Sequence, residues 1–132
     1  MTSLLTELAA HQRRGNTLLF AFGTMDCSMW AADWVRLRTG LDPAADWRGR
    51  YSTEDEYRRL LLAEGGLVRV VARAMQRVGA RVVAPAEAAP GDIGIIMTEK
   101  GPACAIRGQL GWDAKTGDRL SRTPHATFAW RI

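Results

Sequence analysis

Histidine and lysine are both scarce in this chain of 132 residues: it has two histidines, His11 and His125, and two lysines, Lys100 and Lys115. So few imidazoles leave little from which to build a proton shuttle or a nitrogen-ligated metal site near neutral pH. Cysteine is equally sparse. Cys27 and Cys104 lie far apart, with no CxxC spacing and no histidine cluster beside either, so neither a zinc nor an iron–sulfur site is implied, and no cofactor is expected. No apolar run approaches the length of a membrane span. The stretch from Met1 to Ala10, a helical pattern with Glu7 inside it, does not read as a signal peptide. The chain is expected to be made and folded in a cytoplasm, with no disulfide.

An apolar fraction of 47% over this length suits one compact domain spanning residues 1–132. The formal charge of +4 comes almost wholly from arginine, since only two of the 18 basic residues are lysine. These arginines are spread along the sequence and read as solvated or interfacial. A nucleic-acid footprint would gather them on one face or helix, so no nucleic-acid partner is expected.

The first half reads as helices. Leu4, Leu5 and Leu8 make a stripe on a first helix expected to end near Gly15, and Cys27 to Thr39 makes a second, closed by Gly40. Leu41 to Tyr51 reads as a loop that wraps back with Trp47 and Tyr51 buried as anchors. Ser52 or Thr53 caps a third helix through Tyr57, Leu60 and Leu61, with an acid three positions after the hydroxyl. Gly65-Gly66 breaks it, and Leu67 to Val78 forms a fourth, closed by Gly79. From Arg81 the period changes. Arg81 to Ala84 and Asp92 to Met97 read as strands separated by an Ala/Pro linker, Pro102 to Arg107 pairs back as a hairpin, and Trp112-Asp113 begins another strand. Lys115 to Asp118 is a turn, and Ala126 to Ile132 is a final two-faced strand. Helices followed by an antiparallel sheet define an α+β layout.

Cys27 is the residue with the clearest chemistry. It closes the stretch Phe22-Gly23-Thr24-Met25-Asp26-Cys27 and opens the second helix, where unpaired N–H groups and the macrodipole favour a thiolate; a nucleophile with a lowered pKa is the expectation.

That stretch, taken with Trp47-Arg48-Gly49-Arg50-Tyr51, Gly65-Gly66-Leu67, Pro90-Gly91-Asp92-Ile93 and Ala129-Trp130-Arg131-Ile132, resembles the NlpC-type cysteine peptidase superfamily of papain-like fold. The resemblance is closer to a branch of small proteins encoded by phages and prophages among their tail genes. It implies N-terminal helices packed on a C-terminal antiparallel sheet, and a Cys27 nucleophile. It also implies a catalytic histidine at the start of the strand that here reads Ala103-Cys104-Ala105-Ile106. Alanine stands where the base belongs. A thiol peptidase needs an acid to protonate the departing amine, so turnover should be severely impaired without it.

His125, just before the last strand, is the one candidate for a relocated base; its other reading is a surface-loop histidine. His11, on the first helix, is expected to be exposed and without a role. Asp26 either orients a base or caps the second helix, and the cap is preferred. Cys104 reads as a small buried hydrophobe facing away from the cleft, which disfavours a bridge to Cys27. Trp30 and Trp34 read as core, and Asp92 as fixing the turn into its strand. Two functions follow from the resemblance. One is a structural subunit at a phage tail tip, partnered by tail-tip or hub proteins, synthesised in the host cytoplasm and carried in the virion. The other is an active peptidase cutting peptidoglycan stem peptides with Cys27 and His125.

Overall fold

A computed structural model describes residues 3–132, so Met1 and Thr2 of the expected N-terminal helical pattern lie outside the described residues. Four helices precede a six-stranded sheet. The helices are α1 (Leu4–Thr17), α2 (Cys27–Thr39), α3 (Glu54–Ala63) and α4 (Leu67–Arg77). The strands are β1 (Arg81–Val83), β2 (Ile93–Thr98), β3 (Gly101–Arg107), β4 (Trp112–Ala114), β5 (Ser121–Thr123) and β6 (Phe128–Arg131). They lie in the order β1-β6-β2-β3-β4-β5, with every neighbouring pair antiparallel. The α+β layout read from the sequence is the layout observed.

The helix caps follow the residue types. The hydroxyls of Ser3 and Thr53 accept the N–H of Thr6 and Glu56, and Gly40 closes α2 in the left-handed conformation that a side chain would resist. Glu56 returns the bond to Thr53 and also accepts the Ser52 N–H. Gly15 does not end α1. It lies inside the helix, where an added Cβ would sit 2.7 Å from Leu120 and 2.8 Å from Trp30, so this glycine permits close packing rather than a stop. Strand β5 was absent from the sequence pattern: three polar-leaning residues carry no period, and only pairing with β4 makes them a strand.

One face of the sheet carries the main core. Ile93, Ile95, Cys104, Ile106 and Trp130 meet Trp30, Trp34 and Val35 of α2 and Leu67, Val71 and Met75 of α4. Both α2 tryptophans are fully buried, and each indole N–H is satisfied: Trp30 donates to the His11 carbonyl at 3.1 Å and Trp34 to the Gly91 carbonyl at 2.9 Å. The opposite face is built from Ile96, Ala103, Ala105, Ala114 and Ala129 around Trp112. The indole lies across Gly94, where a Cβ would stand 2.4 Å away, so this alternating strand needs glycine at that point. Of the two expected loop anchors, Tyr51 is buried and Trp47 is half-buried. As expected, Asp92 fixes the turn into β2. It accepts the Ala89 N–H and pairs with Arg131 at 2.8 Å. No helix among the described residues is long and apolar enough to cross a membrane.

Two basic side chains are buried, and one of them, His11, departs from its expected place. His11 is buried, at 6% exposure, because Leu4, Leu8, His11 and Gly15 form the stripe of α1 that faces the body of the protein. Its ring stacks on Trp30, and its Nε2 lies 2.8 Å from the Trp30 carbonyl, which assigns the proton to that nitrogen. Lys115 opens the expected turn, and its side chain is fully buried. Its ammonium donates to the carbonyls of Gly15, at 2.7 Å, Leu18 and Asp118, and so holds the C-terminal end of α1 against the β4–β5 connection.

Burial lowers the His11 pKa from its ordinary 6.5, against the raising effects of the Trp30 carbonyl and Asp33. The unfolded chain takes up the proton first, so stability is complete above about 6.5 and declines as pH falls from there toward the lowered folded value. Urea denaturation should show this slope in the parent and a flatter one in His11→Leu. Lys115→Met should cost roughly 2–4 kcal/mol by leaving buried carbonyls unpaired, measured by the same titration at pH 7.

Candidate functional site

The first turn of α2 is organised by Asp26. Its Oδ1 accepts the Met29 N–H at 2.9 Å, and its Oδ2 accepts the Gly23 N–H at 2.9 Å and the Tyr51 hydroxyl at 2.6 Å. The cap reading of Asp26 is the one the geometry bears out. Gly23 is required beside it: with φ at 85°, a Cβ there would lie 2.0 Å from the Tyr51 carbonyl oxygen. The loop before α2 and the segment ending at Tyr51 are thus fastened to one buried carboxylate.

Cys27 follows, partly exposed, packed against the alanine-rich sheet face that includes Ala103. Its sulfur is 3.9 Å from Ser28 Oγ, which in turn lies 3.1 Å from the Tyr57 hydroxyl and 3.7 Å from the Cys104 sulfur. Both cysteines are free thiols. Cys104 is buried in the main core, as a small hydrophobe would be, and on the sheet face opposite the one Cys27 packs against. The two thiols nonetheless meet through one serine. Behind this group lies a cavity of about 60 Å³ with Ser28, Tyr57 and Cys104 at its polar side and otherwise apolar walls that include Met29, Leu61 and Val71.

The electrostatics reverse the expectation of a lowered thiol pKa. Burial pushes the Cys27 thiol up, and the adjacent Asp26 carboxylate pushes it further; the Cys104 amide and the Ser28 and Tyr57 hydroxyls oppose this without winning. A helix N-terminus favours a thiolate, but here the nearest full charge is negative. Cys104 is pushed well above its ordinary value, again by burial and then by Cys27. Burial also raises the Tyr51 and Tyr57 hydroxyls, so neither serves as a base. The cluster holds protons and does not accept them.

His125 is exposed in the segment between β5 and β6, and it makes no side-chain hydrogen bond to Cys27 among the described residues. His11 is committed to Trp30 in the core. Among the described residues, no three His, Cys, Asp or Glu side chains converge as a metal-ligand set. Sequence reading missed Ser28 and Tyr57 as neighbours of the thiol. Ser28 is adjacent in the chain, but Tyr57 comes from α3 and only the packing of α3 over α2 brings it there.

Fold and site together define an α+β protein with a capped helix that opens on a protonated thiol. The chain belongs to the family described as a domain of unknown function (DUF6950), whose model matches residues 3–132. No curated protein matches it.

Alkylation of Cys27 followed against pH by mass spectrometry should give a midpoint above the free-thiol value of about 8.5. Asp26→Asn, which keeps the cap acceptor and removes the charge, should lower that midpoint; an unchanged midpoint would show that the carboxylate does not set the state of the thiol.

Proposed function

We propose that this protein is a structural component of a phage or prophage tail tip, built on a papain-like, NlpC-type cysteine peptidase fold whose chemistry has been lost. The observation that carries this reading is the surroundings of Cys27. The thiol stands at the start of a helix beside a sheet strand, as a papain-like nucleophile would. The position assigned to the base holds Ala103, whose methyl belongs to the apolar cluster that Cys27 packs against. The sulfur's hydrogen-bond neighbour is the Ser28 hydroxyl, itself beside the Tyr57 hydroxyl and the Cys104 thiol, and the charge nearest to it is the Asp26 carboxylate. Peptide-bond cleavage requires a thiolate and then a proton donor for the amine, and this arrangement supplies neither near neutral pH. A framework retained without its chemistry fits a protein kept for its surfaces, with tail-tip or hub subunits as its partners and the virion tail as its location.

On this reading the protein is present in purified virions in fixed proportion to the other tail subunits, and Cys27→Ala leaves particles assembled and infectious. A large loss of infectivity with normal assembly would instead favour an active peptidase acting on stem peptides, with His125 reaching the site in the assembled tail. Ala103→His provides the complementary test: an imidazole placed in the cluster beside Cys27 should move the alkylation midpoint downward. The same midpoint in both proteins would mean that position 103 is not that of the missing base.

A further inference from the structure

Some of the arginines that look scattered along the sequence gather in space. In α4, Arg69, Arg73 and Arg77 follow one another at intervals of four residues and all three are exposed, and Arg81 opens β1 just beyond. That interval places the side chains along one side of the helix at a pitch of about 6 Å. Of the sixteen arginines spread along the chain, helical periodicity brings these three onto one side of α4.

Like charges at this spacing weaken a helix. The neighbouring α3 is built the opposite way: Glu54 pairs with Arg58 at 3.0 Å and Asp55 with Arg59 at 3.6 Å, each acid one turn ahead of its arginine. The α4 helix contains no acid at all, and the one carboxylate that reaches it is Glu64 from the preceding turn, 3.6 Å from Arg73. Arg69, Arg77 and Arg81 have no ion-pair partner among the described residues.

The rest of the surface limits what could sit on this face. Most carboxylates are already engaged, in ion pairs or as caps, and those outside such contacts, Asp46, Glu87 and Glu99, stand on separate segments. A second copy of the chain offers one acidic turn, Glu54 to Glu56 at the start of α3, whose carboxylates are already engaged by Arg58, Arg59 and the Thr53 cap. Exposed aliphatic side chains flank the stripe in the chain, Leu62 at 81% exposure before it and Val82 at 77% after it. Arginine is enriched at protein interfaces and also binds phosphate, so it is the exposed aliphatic groups beside the stripe that favour a protein over a nucleic acid.

We propose that the exposed face of α4 docks an acidic segment of a partner protein, with carboxylates repeated at helical spacing that accept paired N–H bonds from Arg69, Arg73 and Arg77. This deepens the tail-component reading on which it rests, the partner being a neighbouring subunit.

The test is fluorescence anisotropy at about 50 mM salt, with a labelled helical peptide carrying Glu at every fourth position and a labelled DNA duplex as probes. The parent protein should bind the peptide more tightly than the duplex. R69E/R73E/R77E, with an unchanged circular dichroism spectrum, should weaken peptide binding roughly tenfold or more, and R69K/R73K/R77K should fall between. Peptide affinity unmoved by charge reversal, or a duplex bound more tightly than the peptide, overturns the proposal; full affinity in the lysine variant overturns the paired geometry. Virion content is read separately. Protein present in particles while charge reversal leaves peptide binding unmoved refutes this surface alone, whereas protein absent from particles refutes the tail reading whichever way the peptide experiment falls.

Discussion

The Asp26 carboxylate is the constraint on which the site depends. Buried and fully hydrogen-bonded, it closes the N-terminus of α2, fixes the left-handed turn at Gly23 and receives the Tyr51 hydroxyl, so three segments share one negative charge. The same charge stands beside the thiol. A carboxylate placed for architecture raises the pKa of the neighbouring cysteine, and the helix N-terminus, which by itself would favour a thiolate, does not overcome it together with burial. Structure and chemistry are opposed at this point, and structure has prevailed.

Around this centre the fold is fastened by polar groups that bind backbone within an apolar interior. Trp34 ties α2 to the turn that leads into β2, Trp30 and His11 exchange hydrogen bonds across α1 and α2, and Lys115 gathers carbonyls at the end of α1. Each joins a helix to a loop or to a second helix, and each leaves no buried polar side-chain atom without a partner among the described residues. The alanine-rich sheet face works differently. Small side chains there leave room for the single large ring of Trp112.

The helices also divide their charge unequally. In α3 each arginine is neutralised by an acid one turn earlier, which supports the helix; in α4 the arginines are left largely without such support. The α3 helix buries none of its residues completely and lines a small cavity through Tyr57 and Leu61, whereas α4 buries Leu67, Val71, Ala74 and Met75.

By itself the sequence determined what depends on local chemistry. Hydroxyl and carboxylate caps, glycine stops, the period of the α4 stripe and the alternation of β2 and β3 are written in residues a few positions apart, and so were α2 from Cys27 to Thr39, the Asp26 cap and the buried tryptophan pair. Tertiary structure decided the rest, because each remaining feature depends on residues far apart in the chain. The end of α1 near Gly15 was legible, but the need for a missing side chain there comes from Trp30 and Leu120, and β5 has no pattern apart from its pairing with β4. His11 looked like a surface group until the Trp30 ring and carbonyl enclosed it, and nothing local told that carbonyls from α1 would bury the Lys115 ammonium. Cys27 could be singled out from its position at a helix start, but the state of its thiol depends on burial, on a neighbouring carboxylate and on the Ser28 and Tyr57 hydroxyls, and these are consequences of packing.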